Sequence, residues 1–142
     1  MDETSTDGKL NKAQPRIMLV EDDEAIRETI CELLASEGIE IIAVAGGNEC
    51  LNQLSAGFRG LILMDVMMPG MDGWTTIREM KNAGLLEGNI ISMLTSMEVP
   101  DQRMEGLQEI IIDYILKPFE PSAFIASVKK YLLLLDQTAG HK

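Results

Sequence analysis

The chain is poor in the residues that would point to several common chemistries. Its only cysteines, Cys31 and Cys50, have no CxxC or metal-type spacing, so neither a disulfide framework nor a thiolate metal site is indicated. Its one histidine, His141, lies in the tail of the sequence. Aromatic residues make up 4% of the chain. Basic residues are also few: 12 Lys and Arg stand against 23 Asp and Glu, a net charge of −11, which argues against a nucleic-acid surface built from clustered cations. No apolar run is long enough to span a bilayer, and the opening MDETSTDGKLNKAQP lacks the apolar core of a signal peptide. A cytoplasmic location without membrane contact is the simplest expectation.

What remains has the balance of one globular domain: 142 residues, 46% apolar and 25% charged. Short apolar runs alternate with amphipathic stretches, without internal repeats. Five strands are expected, at Arg16 to Val20, Ile39 to Val44, Leu61 to Val66, Asn89 to Leu94 and Ile110 to Leu116. A helix should follow each. The first carries Ile26, Ile30, Leu33 and Leu34 at helical spacing, with Asp22 or Asp23 as its cap and Gly38 at its end. The second carries Cys50, Leu51 and Leu54 and ends near Gly57. The third spans about Trp74 to Asn82, a weaker fourth about Pro100 to Glu109, and the last Pro121 to about Leu135. Leu132 to Leu135 would run all round that helix, so that some of this apolar surface is exposed or covered by the polar tail. Residues 1–14 read as a polar lead-in, 15–136 as the domain and 137–142 as a short tail.

Strands apolar on both faces, each followed by a helix, imply a parallel sheet covered on both sides. The fold class is therefore α/β, a doubly wound five-stranded parallel sheet, with 2-1-3-4-5 the leading strand order. Ligands of such sheets bind beyond the carboxyl ends of the strands. The chemistry collects at that edge: Glu21 and Asp22 after strand 1, Asp65 in strand 3, Thr95 after strand 4 and Lys117 after strand 5. Singly, each has an ordinary explanation as a helix cap, a turn former or a solvated charge. Together they describe a cleft where crowded carboxylates call for a hard divalent cation, with Mg²⁺ favoured. Asp65 is then a carboxylate nucleophile for a phosphoryl group, Lys117 a point charge for a phosphoryl oxygen and Thr95 a hydroxyl donor.

The segments IMLVEDDEAIRETI, LILMDVMMPGMDGW, ISMLTS and DYILKPF, in this order, resemble the two-component response-regulator receiver, the CheY-like family with flavodoxin-like topology. The resemblance runs from Arg16 to Leu135. It implies that Asp65 is the phosphoacceptor, and that Asp22, Asp65 and the backbone carbonyl of Met67 hold Mg²⁺, for which Mn²⁺ or Ca²⁺ can substitute. Glu21 would act on the ion directly or from just outside its ligands. It further implies that Thr95 is the switch hydroxyl, Tyr114 the switch aromatic coupled to it, and Lys117 the phosphate-binding lysine preceding a cis proline.

The implied donor is a histidine on a separate sensor kinase. The implied output is an unidentified protein bound through the face made by the fourth helix, strand 5 and the last helix, the protein being a monomer or a weak phosphorylation-dependent dimer. The short tail leads to the expectation of a stand-alone, or excised, receiver that is no enzyme, although it would take phosphoryl groups from small donors and lose them by itself. Ile110-Ile111 departs from the Gly-Ala pair frequent in relatives, which suggests a more apolar partner face. Met67 and Met97, two residues past Asp65 and Thr95, imply a long-lived phosphoryl group. The competing readings are a phosphorylation-independent pseudo-receiver, which the intact set opposes, a dehalogenase-type phosphatase, which needs an aspartate where Met67 stands, and a flavin carrier, whose phosphate loop is replaced by three acids.

Overall fold

The computed structural model describes residues 15–96 and 106–139. Five parallel strands form one sheet in the order β2-β1-β3-β4-β5. They are β1 (Ile17–Val20), β2 (Ile42–Val44), β3 (Leu61–Asp65), β4 (Ile90–Thr95) and β5 (Ile111–Leu116). The helices are α1 (Glu24–Ala35), α2 (Gly47–Ser55), α3 (Gly73–Asn82) and the last helix α4 (Pro121–Ala139), with a 3-10 turn at Gln108–Ile110. No helix among the described residues is long and apolar enough to cross a membrane.

The three inner strands are buried on both faces, so each supplies two cores. Met18, Ile62, Met64 and Met93 meet Leu54 of α2 and Trp74, Ile77 and Met80 of α3 on one side. Ile17, Leu19, Leu61 and Leu63 meet Ile30 and Leu34 of α1 and Phe124, Val128 and Tyr131 of α4 on the other. The alternation of neighbouring strand residues between these groups follows from the two-residue period of a strand. Three of the four described helix starts are fixed by carboxylates: Asp23 accepts from the Ile26 N–H at 3.0 Å, Asp72 from Thr75 at 2.8 Å and Glu120 from Ala123 at 2.9 Å.

The edge strands differ from their expected extents. β2 begins at Ile42 rather than Ile39, because Gly38 (φ 76) turns the chain out of α1 and the Ile39 N–H is held by the Leu34 carbonyl. A register shift opposite Ile91 and Ser92 makes β5 irregular. The expected fourth helix falls largely outside the described residues; within them, Gly106 (φ 83) and the 3-10 turn replace its final turn. α4 runs to Ala139, beyond the expected Leu135, since nothing in Asp136 to Ala139 breaks a helix. Within the Leu132 to Leu135 run, Leu135 is buried, while Leu133 and Leu134 are exposed.

Candidate phosphoacceptor and metal site

The strand order puts the ends of β1 and β3 side by side, with β4 and β5 beyond. Glu21 follows β1 and is tied to the neighbouring strand by its N–H to the Val44 carbonyl, 3.1 Å. Arg27 of α1 donates to the carbonyls of Glu21 (2.8 Å) and Asp22 (3.1 Å), so the acidic turn is clamped from its own helix. Asp65 ends β3, where the next N–H, that of Val66, bonds the Leu94 carbonyl at 3.1 Å. The loop after it returns through Gly73, whose N–H bonds the Val66 carbonyl at 3.0 Å. A side chain at Gly73 would place its Cβ 2.5 Å from the Asp65 carbonyl oxygen, so only glycine lets α3 start this close to β3.

Three carboxylates converge here. Glu21, Asp22 and Asp65 each offer an oxygen, and these oxygens lie within 4.8 Å of one another. Glu21 and Asp65 are buried, and Asp22 is exposed. The Lys117 ammonium donates to Glu21 Oε1 and Asp65 Oδ1, each at 3.0 Å. Its backbone N–H bonds the Thr95 carbonyl at 2.8 Å, so the ends of β4 and β5 are joined beside the cleft. Thr95 is buried, one position beyond Leu94, the register partner of Asp65.

The charges do not balance, because one ammonium faces three acids. Burial pushes the Asp65 carboxyl up to about 7; the hydrogen bond from Lys117 opposes this, and the charge of Glu21 adds to it. Burial alone would lower the Lys117 ammonium, but its bonds to Glu21 and Asp65 outweigh that and its pKa is raised. A cation between the acids would relieve the excess charge. The donor set is all carboxylate oxygen and is open to water at Asp22, which fits a hard divalent ion that retains waters and does not fit a soft metal.

Of the residues singled out in the sequence, Glu21, Asp22, Asp65, Thr95 and Lys117 therefore share one end of the sheet. The Met67 side chain points away from burial, 55% exposed, as suits a residue expected to contribute only its carbonyl. Tyr114 lies on β5 opposite Met93, 37% exposed, with its ring tilted against Trp74 at a centroid distance of 6.5 Å. The Lys117–Pro118 bond is cis. Met97, the lead-in and His141 lie outside the described residues. Sequence reasoning missed Arg27, a helical residue like any other until its carbonyl partners are seen, and the close approach that Gly73 makes to β3. The DG pair at Asp72-Gly73 reads as a plain turn, although the glycine is required by the approach to Asp65.

Comparison with known proteins gives consistent results. The family model described as response regulator receiver domain matches residues 17–129. The phosphate regulon transcriptional regulatory protein PhoB of Escherichia coli K12 is 34% identical over 124 residues, covering 87% of this chain and 54% of PhoB. The chain thus spans about half the length of the curated relatives it matches. A CheY-like receiver domain structure from Methanospirillum hungatei JF-1 is 40% identical with a TM-score of 0.81, covering 85% of this chain and 96% of that one. The response regulator TrrA of Thermotoga maritima, solved in complex with Mg²⁺ and BeF, is 29% identical with a TM-score of 0.70, covering 84% of this chain and 100% of that one.

Proposed function

Because the chain belongs to the response regulator receiver domain family, we propose that it accepts a phosphoryl group on Asp65 in a Mg²⁺-dependent reaction and passes the signal on through a change of surface. The observation that carries this reading is the Lys117 ammonium bridging buried Glu21 and Asp65 at 3.0 Å beside exposed Asp22. Those groups fit the expected division of labour. Asp22, Asp65 and the Met67 carbonyl would hold the ion, with Glu21 acting directly or through water. When bound, Mg²⁺ supplies neutralising charge to the transferred group.

Asp65 attacks as a carboxylate, and Lys117 shifts its bond from the acids to a phosphoryl oxygen. Thr95 donates to another oxygen, and Tyr114 turns inward behind it. Moving such an equilibrium from 1:99 to 99:1 takes about 5.5 kcal/mol. Two charge-assisted hydrogen bonds of about 1.5–3 kcal/mol each are of the right size. The donor is a sensor kinase histidine, and the output partner binds the β5 and last-helix face, where Ile112, Tyr114, Leu116, Leu133 and Leu134 are exposed. The protein acts in the cytoplasm as a receiver rather than as a classical enzyme.

The test is incubation of wild type and Asp65→Ala with acetyl phosphate, with and without Mg²⁺. Intact-mass measurement should show one added phosphoryl group only in wild type with Mg²⁺. An unmodified wild type would favour the pseudo-receiver reading.

A further inference from the structure

Trp74 Nε1 is a buried side-chain donor without a hydrogen-bond partner among the described residues. Trp74 itself is 3% exposed, so water does not readily take the place of a protein acceptor. An indole N–H can only donate, and such a group needs an acceptor oxygen nearby. The neighbouring ring is that of Tyr114, 6.5 Å away between centroids and inclined at 51°. Tyr114 is 37% exposed, and its phenol carries an oxygen able to accept.

Trp74 is also joined to the acceptor strand. It follows Gly73, where a Cβ would stand 2.5 Å from the Asp65 carbonyl oxygen and 3.1 Å from Met93 Cε, and Met93 is the register partner of Tyr114. The start of α3 therefore touches the backbone of Asp65 on one side and the Tyr114 ring on the other.

We propose that Trp74 is a positioning residue for the switch aromatic: when Asp65 is phosphorylated and Tyr114 turns inward, the phenolic oxygen accepts a hydrogen bond from Trp74 Nε1. The unpaired donor weighs against the outward arrangement, and its satisfaction favours the inward one. The inference rests on the phosphoacceptor reading and adds to it a residue outside the cleft. A chain with another apolar side chain at this position would keep the packing and lose the bond.

Trp74 is the only tryptophan, so all indole emission comes from this position and the Tyr114→Phe variant isolates the part due to this contact. The 142-residue wild-type chain and its Tyr114→Phe variant are titrated with fluoroberyllate and Mg²⁺, with fluorine NMR of the bound species as an independent measure of loading. In wild type, loading should move the emission maximum to longer wavelength as the indole N–H becomes bonded; in Tyr114→Phe, loading should proceed with less than half of that shift. An equal shift in the two proteins overturns the proposal.

Trp74→Phe should raise the fluoroberyllate midpoint roughly tenfold, the effect of losing one hydrogen bond. The same change in a Tyr114→Phe background should raise it no further. Independent, multiplicative effects of the two substitutions would contradict the pairing. Absence of a bound fluorine signal in wild type would overturn the phosphoacceptor reading, and this inference with it.

Discussion

The two ends of the sheet are built from the same strands and solve opposite problems. At the amino ends the strands are tied together by neutral hydrogen bonds. The Leu61 N–H bonds the Arg16 carbonyl at 2.8 Å, the Ile90 N–H bonds the Gly60 carbonyl at 2.9 Å, and Asn89 accepts from the Gly60 N–H at 2.8 Å while donating to Leu85 at 2.8 Å. At the carboxyl ends, one ammonium is shared between two buried carboxylates with a third beside them. The first arrangement stabilises the fold. The second leaves unbalanced charge beside exposed Asp22, where, on the function proposed, a cation and a phosphoryl group would complete it. Stability and function are thus separated by the length of a strand, and substitutions at the two ends should fail in different ways.

The largest expected effect is at the carboxyl end. Asp65→Asn should abolish phosphoryl incorporation and, without a divalent cation at pH 8, raise stability, since it removes a buried charge held at a raised pKa. Denaturant unfolding of both proteins checks this. Loss of stability in the asparagine variant would mean that the charge is well matched after all.

Next is the amino end. Gly60 has φ 157, and a Cβ there would lie 2.2 Å from the Arg16 carbonyl oxygen. Gly60→Ala should cost about 2–3 kcal/mol, lowering Tm by roughly 5–10 °C. The remaining folded protein should still be phosphorylated, as a low-temperature assay would show.

The third effect is one of pH. Asp65 has a folded pKa of about 7 against 3.8 as its ordinary value. Between these values the folded state retains a proton that the unfolded state has lost, so stability of the metal-free protein should fall as pH rises from about 4 to about 7 and then level off. Saturating Mg²⁺ should flatten this decline by favouring the ionised form. The measurement is unfolding free energy against pH, with and without the ion. A decline unaffected by Mg²⁺ would separate the metal from Asp65.

The smallest effect is expected from Arg16→Ala, which removes a 2.6 Å pair with Asp136 whose side chains are 43% and 59% exposed. Such a pair contributes about 0.2–1 kcal/mol. Thermal unfolding should shift little, and salt should reduce the shift further.

The sheet was legible because Leu61 to Met64 and Ile17 to Val20 are apolar at every position, a pattern that suits strands buried on both faces. The shared location of Glu21, Asp65 and Lys117 was legible for the same reason: strand ends in such a sheet lie along one edge. The start of β2 was not, because Ile39 to Ile41 satisfy the strand pattern while Gly38 and the Leu34 carbonyl use them to leave the helix. Nor was Arg27, whose partners are backbone carbonyls and leave no trace in residue types. Trp74 escaped notice because an aromatic residue at a helix start is ordinary until its N–H is seen to lack an acceptor.

The central claim is that Asp65 itself takes the phosphoryl group. Its most direct test is borohydride reduction of the protein after acetyl phosphate and Mg²⁺, followed by peptide mapping, because reduction of an acyl phosphate converts the aspartate that carried it into homoserine. The account predicts homoserine at Asp65 and at no other acid of the cleft. Homoserine at Asp22, or an unaltered Asp65 peptide in the phosphorylated protein, would contradict it.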